Sequence, residues 1–451
     1  MMPGPPRALA NRFPRDFVWG AATAAYQIEG AAAEGGRGPS IWDTFSHTPG
    51  KVARGDTGDV AADHYHRLET DLDLMAELGL GAYRFSVAWP RILPQGTGRL
   101  NAAGLDFYDR LVDGLLERGI EPWVTLYHWD LPQELEDRGG WPWRGIVDAF
   151  GGYAAAVAGR LGDRVTRWMT INEPQVVATH GYGEGVHAPG RRSWPDALRA
   201  AHHLHLAHRV GDAAIRAAAP RARVGMAFNM APVAASDPRD EVTARLRDAA
   251  LNRWYLDPAF GLGYPPELVA HYGGLLEGLD LGELERPAPK PDFAGINYYA
   301  PETVAAGRPA NGDPVGAVAV DSEGPTTGLG WPIRPDGLRV VLERVAADYG
   351  PAEIAVTENG AAYPDRVAPD GSIRDEERAA YLAAHIGAVA DARAAGVPVT
   401  GYFAWSLLDN FEWALGYEAR FGIVHVDYTS LRRTVKSSGH WYRSLVQAAR
   451  S

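Results

Sequence analysis

Two stretches of the chain end in the same way. "RWMTINEPQ" (167–175) and "EIAVTENGAA" (353–362) each contain an apolar run, a threonine, a glutamate and then a break. The break after Glu173 is Pro174, and the break after Glu358 is the turn-forming pair Asn359-Gly360. A lone acid at the end of a strand is ordinarily a helix cap or one half of a surface ion pair. The alternative is a catalytic acid whose pKa is raised by apolar surroundings. One glutamate cannot decide between these readings, but two can, because acid/base work on a sugar bond needs two carboxyls facing one substrate.

Whatever elements carry these glutamates must bring them together across 185 positions of chain. Eight short apolar runs begin near residues 17, 83, 123, 165, 223, 293, 354 and 399. Most are hydrophobic without alternation, as in strands of a parallel sheet covered on both faces. Between them lie helical patterns. The stretch 67–80 carries Leu68, Leu72, Met75 and Leu78 on one stripe with Gly79 as a stop, and 105–120 repeats the design with Gly119. Eight such units predict an α/β protein, a single (β/α)8 barrel whose long βα loops form the pocket. The expected layout is one catalytic domain over 13–451 after a loosely held, Pro/Gly-rich segment 1–12. The irregular stretches 29–59 and 307–337 both follow a strand and so belong on the barrel's C-terminal face, with Trp42 and Trp331 arguing that they are ordered.

A barrel enzyme should gather its polar groups at the strand ends. Those ends carry Gln27, Arg84, His128, Trp129, Asn172, Glu173, Asn229, Asn297, Tyr299, Glu358 and Trp405. Amides, a histidine and carboxylates make a lattice of donors and acceptors matched to several hydroxyls, while indole rings suit the C–H faces of a sugar. A glycosidase fits these parts. Other barrel chemistries lack theirs: a Schiff-base aldolase needs a lysine at a strand end, and Lys51, Lys290 and Lys436 lie elsewhere. No metal site is expected. The four histidines His202, His203, His205 and His208 fall on a helical pattern outside the barrel and read as surface or packing residues.

The net charge of −12 argues against nucleic acid or an anionic membrane as partner, and the absence of cysteine removes disulfides and thiolate chemistry. No cofactor is called for. With no apolar leader and no membrane-length apolar window, a cytoplasmic protein acting on a small neutral molecule is expected.

From about Phe13 to Tyr442 the sequence resembles the family 1 glycoside hydrolases, chiefly β-glucosidases. The motifs that carry the resemblance are "FVWGAATAAYQIEGA" (17–31), "YRFSVAWPRI", "TINEP", "TENG" and "WSLLDNFEWALGY" (405–417). The resemblance implies a retaining enzyme with Glu358 as nucleophile and Glu173 as acid/base, an outcome that the residues alone leave open against inversion. It further implies that Gln27, His128, Trp129, Asn172, Asn297, Tyr299, Trp405, Glu412, Trp413 and Phe421 bind the substrate sugar. Arg84 and Tyr299 would touch Glu358, and Trp331 and Asn229 would face the aglycone. Members acting on 6-phosphoglycosides replace the "EW" found here at 412–413, and Glu412 would repel a dianion. The implied substrates are cellobiose or other neutral β-glucosides, with side activity on β-galactosides and β-fucosides. Transglycosylation would use the same residues.

Overall fold

The computed structural model describes residues 3, 4, 6–321 and 323–450. Its centre is a closed barrel of eight parallel strands: β1 (Val18–Ala22), β2 (Ala82–Ser86), β3 (Glu121–Tyr127), β4 (Arg167–Asn172), β5 (Arg223–Asn229), β6 (Phe293–Asn297), β7 (Ile354–Asn359) and β8 (Val399–Trp405). Each strand neighbours the next in sequence, and β8 closes on β1 through the register Ala22↔Trp405. The eight apolar runs of the sequence are these strands.

Helices α1 (Leu68–Glu77), α2 (Ala102–Glu117), α3 (Ile146–Leu161), α4 (Trp194–Ala218), α5 (Trp254–Ala259), α6 (Pro335–Tyr349), α7 (Glu376–Ala394) and α8 (Ser437–Arg450) surround the barrel. Gly79 and Gly119 sit just beyond α1 and α2 with φ of +72° and +69°, the left-handed stop that only glycine adopts without strain. The barrel's lower end is plugged by Trp123, Phe293 and Phe403, whose rings pack at 4.8 to 5.5 Å between centroids.

Within the leading segment, residues 1, 2 and 5 lie outside the described residues, and the part nearest the barrel packs against it. Arg7–Ala10 forms a short helix against α7 and α8, with Ala10 buried, and Arg12 pairs with Asp391 of α7 at 2.6 Å. Leu9 and Ala10 give it an apolar edge that the Pro/Gly content of its flank obscures.

The four histidines of α4 are all buried rather than superficial. Among the described residues, no cluster of histidines and carboxylates is placed to hold a metal, and no helix is long and apolar enough to cross a membrane. His203 Nδ1 faces the Trp141 carbonyl and His208 Nδ1 accepts from Thr170 on β4, both at 2.7 Å. Burial pushes His203 down to about 4 and His205 and His208 down to about 3, so all three are neutral in the folded state. In the unfolded chain they titrate near 6.5 and bind protons that the native state refuses, so stability falls as pH drops below about 6.5. Each such group removes about 2 kcal/mol by pH 5. His208→Gln, which keeps the acceptor for Thr170 but cannot titrate, is expected to flatten the fall of melting temperature between pH 7 and 5. Parallel curves for the two proteins would refute that assignment.

Candidate active site

The strands deliver the two glutamates to one spot. Glu358 lies in β7 and pairs in register with Asn297 of β6, while Glu173 follows the last residue of β4 and donates its backbone N–H to Ala227 of β5 at 2.8 Å. Glu173 has a left-handed backbone, φ 47° and ψ 66°, ahead of the turn begun by Pro174. Its side chain caps nothing there. It accepts instead from Asn297 Nδ2 at 2.7 Å, deep in the barrel mouth. Trp129 and Trp413 also have positive φ, 80° and 49°. Strain of this kind in non-glycine residues collects at functional sites.

The glycine of "TENG" acts through space rather than through a turn. A Cβ on Gly360 would lie 1.7 Å from the Trp405 carbonyl oxygen, so any side chain would push the loop after β7 away from the end of β8. Asn359 ties the same corner, donating to the Tyr298 carbonyl and accepting from the Tyr402 hydroxyl, both at 2.7 Å.

The surroundings of the two carboxyls differ. Glu358 accepts from Arg84 Nη1 at 2.5 Å and from the Tyr299 hydroxyl at 2.7 Å. Arg84 is itself fixed by Asn172 Oδ1 at 2.6 Å, the Thr357 carbonyl at 3.1 Å and Thr125 Oγ1 at 3.2 Å. Burial raises Glu358 above the usual carboxylate range, against the pull of Arg84, Tyr299 and Asn297. Glu173 is pushed up to about 8, first by burial and then by the charge of Glu358, with a weaker push from Glu412 and against the pull of Asn297 and Arg84. The two carboxyls titrate as a pair, and the member beside the arginine gives up its proton first. Between the two steps the site holds an ionised and a protonated carboxyl, the states needed for a nucleophile and an acid.

Around this pair lies a set of polar groups with fixed roles. Asn172 Oδ1 accepts from Arg84 and Asn297, so its Nδ2 donates to His128 Nε2 at 3.0 Å. Burial and the charge of Arg84 keep His128 neutral, which places its single proton on Nδ1. That N–H and the carbonyl oxygen of Gln27 are buried without a partner among the described residues. They offer one donor and one acceptor to a hydroxyl-bearing ligand. Gln27 Nε2 donates to Asn410 Oδ1, the Phe411 carbonyl and Glu412 Oε2 at 2.9 to 3.2 Å.

Rings complete the walls. His128 stacks near Trp405 and Trp413 at 5.9 and 6.0 Å, and Trp413 packs on Trp129 and on Trp42 at 4.6 Å each. Tyr299, Trp331 and Phe421 form a triangle with centroids 5.7 to 6.2 Å apart. Beyond them opens a cavity of 360 Å³ lined by Asn229, Tyr299 and Trp331, among others. All the residues singled out from the sequence therefore converge on the C-terminal face of the barrel.

Other members were not singled out. Thr357 Oγ1 orients Asn297 at 2.6 Å, Asn410 anchors Gln27, and Gln175 donates to the Asn229 carbonyl at the cavity wall. Each sits within or beside a quoted motif, and that adjacency was the available signal. Burial and the charge of Glu358 push Glu412 up to about 8. Lys436 is buried and committed to Asp365 and Asp409.

The comparisons agree with this geometry. Residues 9–450 match the model of glycosyl hydrolase family 1. The chain is 51% identical to the thermostable β-glucosidase B of Thermobispora bispora over 96% of its length and 90% of that protein's. It is 47% identical to a bifunctional β-D-glucosidase/β-D-fucosidase of Bifidobacterium breve, over 96% and 98%. Among solved structures, the β-glucosidase of Thermotoga maritima in complex with noeuromycin superposes with a TM-score of 0.92 at 46% identity, covering 97% of this chain and 99% of that one. With its barrel, its paired glutamates and these relatives, the chain belongs to glycosyl hydrolase family 1.

Proposed function

We propose that the protein is a retaining β-glucosidase that releases terminal β-D-glucosyl residues from the non-reducing ends of oligosaccharides such as cellobiose and from aryl or alkyl glucosides. One observation carries the mechanism: of the two buried carboxyls, Glu173 is bonded by the neutral Asn297 amide, whereas Glu358 is bonded by the Arg84 guanidinium and a tyrosine hydroxyl. Glu358 attacks the anomeric carbon as Glu173 gives its proton to the departing glycosidic oxygen, leaving a glycosyl ester on Glu358. Glu173, now ionised, takes a proton from water, which attacks the anomeric carbon and returns the Glu358 carboxylate. An alcohol or sugar in place of that water gives transglycosylation.

His128, Asn172, Gln27 and Glu412 bind the sugar hydroxyls, while Trp129, Trp405, Trp413 and Phe421 cover its apolar faces. Glucose is favoured by the names of the relatives, and the fucosidase activity in the name of one of them supports side activity on β-fucosides.

The test is to follow nitrophenyl β-D-glucoside hydrolysis by proton NMR from the first turnovers. β-Glucose is expected first, with the α anomer appearing by mutarotation; α-glucose first would overturn the mechanism. The 6-phospho analogue is expected to fall about a hundredfold in kcat/KM, since its charge would be buried unpaired.

A further inference from the structure

The cavity beyond Tyr299 has walls of two kinds. Toward the glutamates stand Tyr299, whose hydroxyl bonds Glu358, and Trp331, 36% exposed at the rim. The walls without contact to either glutamate are Leu198 from α4, Leu251 ahead of α5, Trp254 and Tyr255 in α5, and Tyr272 at the end of the helix Pro266–Tyr272. All but Leu251 are buried. Trp254 is held by Tyr264 and Tyr272 at centroid distances of 4.1 and 5.1 Å, so the wall is rigid and aromatic. The volume, 360 Å³, falls in the range of small-ligand pockets.

The charged lining is self-neutralising. Arg247 holds Glu302 through two bonds of 2.8 and 2.9 Å and approaches Asp313 at 3.4 Å, while His180 pairs with Glu184 at 2.8 Å. Both basic side chains of the lining are thus already matched, by the three carboxyl groups Glu184, Glu302 and Asp313. An anionic leaving group finds no free partner here. The inner wall offers a second sugar two tyrosine hydroxyls and the Trp254 N–H, and is otherwise made of ring faces and the side chains of two leucines.

We propose that this pouch receives the apolar tail of an uncharged aglycone, an alkyl or arylalkyl chain, and that Leu198, Leu251, Trp254, Tyr255 and Tyr272 hold it. The proposal rests on the β-glucosidase reading and selects among the leaving groups that the reading admits. The aglycone oxygen stays beside Glu173, and the tail runs past Tyr299 and Trp331 into the pouch.

The experiment measures kcat/KM for ethyl, butyl, hexyl and octyl β-D-glucosides, with nitrophenyl β-D-glucoside and cellobiose alongside. These alkanols are similarly poor leaving groups, so the slope with chain length reports binding of the tail. An increase of about threefold per methylene is expected, reaching on the order of 10³-fold from ethyl to octyl. Leu251→Gln, at a half-buried position, is expected to lower the octyl-to-ethyl ratio at least about tenfold. The ratio is taken within one preparation, so partial unfolding does not alter it. Nitrophenyl turnover with an octyl-to-ethyl ratio below about threefold would overturn the pouch and leave the β-glucosidase reading standing, as would an unchanged ratio in Leu251→Gln. Absence of nitrophenyl turnover would overturn that reading and the pouch with it.

Discussion

Replacing Glu358 by glycine is expected to lower kcat/KM for aryl β-glucosides by on the order of 10⁵, with added azide restoring product as the α-glucosyl azide. The size follows from losing the nucleophile, since neither Arg84 nor Tyr299 can attack carbon in its place. The substitution also leaves the buried Arg84 guanidinium facing Asn172 and the Thr357 carbonyl without its carboxylate. A small anion such as azide relieves that imbalance and stands where Glu358 Oε1 stood. It then attacks the anomeric carbon from the nucleophile's face, displaces nitrophenolate and inverts the centre once. Recovery of the β-azide would place the nucleophile elsewhere, and failure of azide to raise turnover in a variant with native circular dichroism would count equally against Glu358.

The barrel was legible because its signal is local and repeated. Each strand is a short run covered on both faces, and each is followed by an amphipathic helix, so eight periods can be counted without any knowledge of contacts. The polar strand ends were legible for the same reason, since position on a parallel strand fixes which face of the barrel a residue reaches. What the sequence hides is pairing. Asn297 reads as one more polar strand end, and nothing local says that its amide joins Glu173 and Asn172 while its oxygen takes the Thr357 hydroxyl. Gly360 reads as a turn, whereas its absent Cβ matters for a carbonyl 45 positions away.

Burial was the second blind spot. The histidines of α4 carry a polar label, and only the packing of α4 against α3 and the segments beside α5 shows that they are interior and neutral. Lys436 is similar: it is a lone cation in the sequence and a buried partner of two aspartates in the fold. The inner wall of the aglycone pouch draws on residues spread from 198 to 272, none of them in a motif. Sequence therefore exposes the chemistry of this site more readily than its selectivity.

The second large effect is expected at Glu173, and it should depend on the leaving group. Glu173→Ala removes the proton donor, so kcat/KM for alkyl glucosides or cellobiose, whose departing oxygen needs a proton, should fall about 10³- to 10⁴-fold. Dinitrophenyl β-glucoside, whose phenolate departs unaided, should lose no more than about tenfold on the same parameter. Its kcat should fall further, because the glycosyl-Glu358 ester now waits for water without a base, and azide should relieve that step by giving the β-glucosyl azide. The pH dependence tests the same role. With Glu173 held at about 8 by burial and by Glu358, the acid form that protonates the leaving oxygen is present below that value and lost above it. Activity of the wild type on cellobiose should therefore decline above pH about 8, and the decline should vanish for the variant acting on the dinitrophenyl substrate. Equal losses on both substrates, or a basic limb that survives in Glu173→Ala, would show that another group supplies the proton.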